Sequence, residues 1–98
     1  LNNDGEWVTA HPIEGTIVVN VGDLLMRWTN NAFKSTPHRV VNRKGVERYS
    51  MVVAWDPDYD TVVDPSIVCQ NGEKVLYPPV RCGDYVLSRF DSSFSYRQ

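Results

Sequence analysis

Apolar positions in this chain fall in short clusters whose character changes along its length. Trp7–Ala10 and Thr16–Val21 come first, and the density of β-branched residues in the second argues for a buried strand. Pro12 and Gly15 separate the two, and Asn3-Asp4-Gly5 ahead of them is a turn signal. Gly22-Asp23 breaks the second cluster, and Asp23 can cap Leu24–Trp28, which reads either as one helical turn or as the start of the next strand. Asn30-Asn31 makes another break, since Asn tolerates the left-handed backbone. Thr36–Asn42 then reads as a strand, Arg43-Lys44-Gly45 as a turn, and Val46–Trp55 as a long strand with apolar residues on both faces. Local sequence alone makes those two strands a β-hairpin.

Beyond Asp56-Pro57 the pattern weakens. Residues 57–79 are rich in acidic residues and punctuated by Asn71-Gly72 and Pro78-Pro79, which reads as a loop, long for a compact domain. It is either a substrate mouth or a solvated connector. From Gly83 onward Val86, Phe90 and Phe94 recur at steps of four, the spacing of an amphipathic helix over about 83–93, with Asp84 near its start and a frayed end after it.

With 98 residues there is room for one domain at most and a modest core. A net charge of −2 with both signs interspersed gives no basic stripe, so neither nucleic acid nor an anionic membrane is the expected partner. No apolar run reaches the roughly 18 residues of a bilayer span. Cys69 and Cys82 are too few for a disulfide framework and lack the clustering of a zinc site, so both are expected as reduced thiols in a cytoplasmic protein. The first residues show no basic-then-apolar signal-peptide pattern, and a start at Leu1 rather than Met leads to the expectation of a fragment whose upstream part is missing.

The candidate chemistry lies in Lys34–Ser50, KSTPHRVVNRKGVERYS. Ser50 follows Arg48 by two residues, so on a strand both side chains point the same way. A guanidinium fork beside a hydroxyl is a carboxylate receptor; the plainer reading is an Arg in a surface ion pair and a Ser filling space. His38, ten residues upstream of Arg48, can act as a metal ligand or a base. Tyr49 should face the opposite side, in the core or bonded through its hydroxyl. Arg39 is expected to brace the loop or a surface carboxylate, His11 to lie on the surface, and Asn20 and Asp23 to form turns.

Read as a set, HRVVN followed by ERYS resembles the C-terminal part of the iron(II)- and 2-oxoglutarate-dependent dioxygenases, in particular the isopenicillin N synthase-like branch. WVTAHPIEGTIVVNVGD, RWTNNAFKSTPHRV, MVVAWDPDYDTVV and YPPVRCGDYVLSRF resemble successive passages of that family, so the likeness runs from Trp7 to about Phe90. The resemblance implies a mainly β fold: part of a double-stranded β-helix (jelly roll) with its core at about 6–56, a loop at 57–79 and a C-terminal helix at about 83–93. It places the strands at 36–42 and 46–55 in opposite sheets rather than in a hairpin. It further implies that His38 is the distal His of an iron(II) triad, and that Arg48 and Ser50 hold the distal carboxylate of 2-oxoglutarate. The expected substrate is a small organic molecule, undergoing hydroxylation, desaturation or ring closure. The family's first His and its carboxylate, a His-x-Asp, have no counterpart here: Pro12-Ile13 follow His11, and Arg39-Val40 follow His38. The chain is therefore expected to need an upstream segment to complete the site and to be inactive alone. A non-catalytic β-sandwich module, or a degenerate family member, is the alternative.

Overall fold

The computed structural model describes residues 1–43 and 45–94. Its regular elements are α1 (Asp23–Trp28), β1 (Val62–Val63), β2 (Val80–Arg81) and α2 (Cys82–Ser93), with a 3-10 turn at Pro65–Ile67. β1 and β2 pair antiparallel, Val62 opposite Arg81 and Val63 opposite Val80.

Helix α1 settles the alternative left open by Leu24–Trp28. Gly22, in extended conformation, is its N-cap, and Asp23 sits in the first turn without capping through its side chain. The Asp23 carboxylate instead accepts from Arg89 Nη2 of α2 at 3.1 Å. The helix ends where the backbone turns left-handed, with φ of 50° at Asn30 and 68° at Asn31. The Asn31 N–H then closes back onto Met26 O at 2.9 Å, satisfying a carbonyl that the helix leaves open.

Helix α2 forms where the step-of-four pattern places it. Two N–H groups of its first turn would otherwise lack partners, and the incoming chain supplies them: Cys82 N–H donates to Thr61 O at 2.8 Å and Gly83 N–H to Tyr59 O at 2.9 Å. The stripe is only half covered, and Phe90 stacks on Phe94 with centroids 6.0 Å apart. Residues 95–98, expected to fray, and Lys44 of the expected turn lie outside the described residues.

The packed centre lies in the stretch expected as a loop. Val63 is fully buried, Cys82 is 2% exposed, and Pro65 is buried beside them. Pro65 opens the 3-10 turn at a position where no N–H donor is needed, and the Asp64 carboxylate caps it by accepting from Ser66 N–H at 2.9 Å. The 57–79 segment is thus pinned down by a strand pair and a capped turn.

The expected strands at 7–10, 16–21, 36–42 and 46–55 are not paired into a sheet among the described residues. Their apolar side chains are open, Met51 98% and Trp55 95% exposed. A strand persists only when its backbone groups find a ladder and its apolar face a cover, and neither is supplied by the described residues. The Cα radius of gyration of 16.7 Å reflects this, against about 13 Å for a compact chain of roughly 100 residues.

Candidate functional site

His38 is delivered by a run of chain tied to α1. Phe33 N–H donates to Thr29 Oγ1 at 3.2 Å and Ser35 N–H to Met26 Sδ at 3.3 Å, while the Leu1 ammonium donates to Pro37 O at 3.0 Å. The ring Nδ1 stands 3.0 Å from Thr36 O. A carbonyl only accepts, so Nδ1 is the donor in this contact, and a neutral ring held this way presents the Nε2 lone pair outward. This is the usual means of orienting an imidazole ligand towards a metal.

His38 and Arg48 line one open cleft of about 820 Å³, together with Trp7, Asn20, Arg39 and Glu47 among others. Among the described residues its lining includes Arg39, Arg43 and Arg48 against Glu47, a balance that attracts anions. Among the described residues the Arg48 guanidinium has no hydrogen bond or ion pair, and it is exposed. Ser50 is exposed as well and does not line the cleft. The structure therefore brings His38 and Arg48 together and leaves Ser50 outside.

Some neighbouring residues depart from expectation and others meet it. Arg39 braces neither the loop nor a carboxylate: its guanidinium lies over the Trp7 ring at 4.0 Å, a cation–π contact joining the first cluster to the His38 run. Tyr49 takes the second of its two expected settings: it is exposed rather than in the core, and its hydroxyl donates to Glu47 Oε1, a bond that pushes the phenol above its ordinary pKa. Asn20 lines the cleft, its amide bonded to Val21 O at 3.3 Å. His11 is exposed, as expected, and is not part of the cleft lining.

No group of three or more His, Cys, Asp or Glu able to hold a metal ion occurs among the described residues. Asp56 borders a different hollow of about 280 Å³, beside Pro57, Tyr59 and Cys82. Both cysteines are free thiols, Cys82 buried and Cys69 partly so, and burial first of all pushes both above the ordinary thiol pKa. That makes them weak nucleophiles.

Sequence reasoning missed Asn30 as a buried bonding centre and Trp7 as the brace of Arg39. For Asn30 the signal was present, an Asn pair closing a helix; for Trp7 the partner lies 32 positions away with no local pattern joining them.

The sequence pattern of the 2OG-Fe(II) oxygenase superfamily matches residues 1–57. The chain is 39% identical over 92 residues to a 2-oxoglutarate-Fe(II) type oxidoreductase, hxnY, of Emericella nidulans, covering 92% of this chain and 26% of that protein. It is 41% identical over 95 residues to the 2-oxoglutarate-Fe(II) type oxidoreductase ppzC of Metarhizium rileyi, covering 96% and 25%. A gibberellin 2-beta-dioxygenase of Oryza sativa subsp. japonica is 38% identical over 85 residues, covering 87% and 25%. The chain spans about a quarter of the length of these curated relatives. No solved structure matches it significantly.

Proposed function

The chain belongs to the 2OG-Fe(II) oxygenase superfamily, and on that premise we propose that it is the C-terminal portion of an enzyme oxidising a small organic molecule with iron(II) and 2-oxoglutarate. His38 supplies one iron ligand through Nε2. Arg48 holds the distal carboxylate of 2-oxoglutarate in its fork, and Ser50 adds a hydrogen bond once residues 46–55 are drawn into a sheet. The observation that carries this reading is the placement of His38 and Arg48 in one cation-lined cleft, with Nδ1 of His38 engaged by Thr36 O.

The remaining two ligands, a His and a carboxylate, come from residues this chain does not contain. The same missing part covers the open apolar faces at 16–21 and 46–55 and completes a jelly roll. When bound, iron(II) with 2-oxoglutarate supplies an oxidant strong enough for an unactivated C–H bond. This chain's residues bind and orient. The Arg48 fork fixes the co-substrate's far end, and the Arg39–Trp7 stack holds the His38 run against the first cluster. Hydroxylation, desaturation and ring closure are all open outcomes. No helix among the described residues is long and apolar enough to cross a membrane, and the two free thiols fit a reducing, cytoplasmic setting.

A degenerate, non-catalytic member is the second reading, favoured by the lack of any three-residue metal set among the described residues. The test is anaerobic calorimetric titration of iron(II) into the full-length protein, followed by 2-oxoglutarate, with succinate release as a check. The expected result is one-to-one iron binding and 2-oxoglutarate turnover, both abolished by His38→Ala. Iron affinity unaffected by His38→Ala would remove His38 from the site, and no succinate from the intact protein would leave the non-catalytic reading.

A further inference from the structure

We propose that Asn30 is a positioning residue for His38: its buried side chain ties Glu73–Leu76 to the end of α1 and so fixes the direction in which the chain leaves for His38. Asn30 is 8% exposed and stands at φ 50°. Its Nδ2 donates to Glu73 Oε1 at 3.1 Å and to Lys74 O at 3.0 Å, and its Oδ1 accepts from Leu76 N–H at 2.8 Å. Asn31, next in sequence at φ 68°, accepts from the Tyr77 hydroxyl at 2.7 Å. Arg27, on the same end of α1, reaches Pro78 O at 2.7 Å. The segment at 73–78 is therefore fastened along its length to one helix end. The same helix end also holds the outgoing chain through Thr29 and Met26, and His38 follows three residues after Ser35.

The residue type supports the assignment. Glycine takes a left-handed backbone more readily than Asn, so backbone need alone does not explain Asn at this position. Asp tolerates it but lacks the donor that Glu73 and Lys74 O require. An amide alone combines left-handed tolerance with two donor hydrogens and an acceptor, and Asn30 uses both kinds.

The consequence for metal binding rests on His38 being an iron ligand; the geometry does not. The experiment uses full-length protein carrying Asn30→Gly, which keeps the backbone and deletes the three bonds, and Asn30→Asp, which turns a donor into a carboxylate facing Glu73. Amide hydrogen exchange over 33–38 and 73–77 is measured with anaerobic titration of iron(II) alone. Asn30→Gly is expected to raise exchange in both segments and to weaken iron binding about tenfold, in line with losses on removing a ligand's support, with Asn30→Asp worse. Wild-type exchange at 33–38 in Asn30→Gly overturns the proposal, whatever happens at 73–77. If the intact protein binds no iron, the functional reading fails and the proposal is decided by exchange alone. Should both variants fail to fold, Glu73→Ala removes the Asn30 Nδ2 bond to Oε1 together with the Gln70 N–H bond to Oε2, and exchange at 33–38 that is then unchanged overturns it too.

Discussion

Gly83 sits where the start of α2 presses on the Tyr59 ring, and a Cβ built there would run into the ring carbons. The Gly83 N–H bond to Tyr59 O holds the two backbones together and the Tyr59 hydroxyl is tied to Asp84 Oδ1, so neither yields freely. Gly83→Ala is expected to destabilise by about 1–3 kcal/mol, the cost of overpacking, read as a lower denaturant midpoint at unchanged slope; a wild-type midpoint would mean the ring swings aside without cost. This constraint was invisible in the sequence because the partner lies 24 residues away. The left-handed Asn30-Asn31 break was legible because that tolerance belongs to the residue itself. What the Asn30 amide bonds to, 43 to 46 residues distant, was not.

Among the elements, α2 was legible because its apolar period is local, and it forms over Cys82–Ser93. The β1/β2 pair was not, since two-residue strands inside an acidic, proline-punctuated stretch carry no period. Asp84, in the first turn of α2, accepts from Arg81 Nε at 2.9 Å and Nη2 at 3.0 Å and from the Tyr59 hydroxyl at 3.3 Å. The Arg81 bonds foremost hold its carboxyl below the ordinary carboxylate pKa. A carboxyl whose folded pKa is depressed contributes stability that is present above its unfolded value, near 3.9, and lost as pH falls through the lowered folded value. The melting temperature should therefore decline in acid below about pH 4, and Asp84→Asn should flatten that part of the profile. An identical acid profile in Asp84→Asn would show that the Arg81 pairing is screened out, as exposed pairs often are.

At the scale of the whole molecule, the resemblance carried by HRVVN and ERYS agrees with the superfamily match over residues 1–57. Local reading alone would have closed residues 36–55 into a hairpin; in the structure Asn42 Nδ2 reaches Val46 O at 2.7 Å, and no ladder follows among the described residues. Packing is concentrated where β1, β2 and α2 meet, while the strand-like sequence lies open, because a strand's sequence records its own face and not the partner that covers it. His38 and Arg48 share a cleft even so, whereas joining Ser50 to them depends on pleating that only a paired strand enforces.

The most direct test of the account is the 2-oxoglutarate affinity of Arg48 variants in the full-length protein. A bidentate, charge-assisted pair in a partly desolvated pocket of the full-length protein contributes about 2–4 kcal/mol, against about 1 kcal/mol for a Ser50 hydrogen bond. Arg48→Ala should weaken 2-oxoglutarate binding by about two orders of magnitude, Arg48→Lys by less because charge survives without the fork, and Ser50→Ala least, with iron affinity unchanged in all three. An Arg48→Ala protein that keeps its 2-oxoglutarate affinity while losing that for an organic substrate would contradict the assignment and make this cleft the substrate's carboxylate receptor instead.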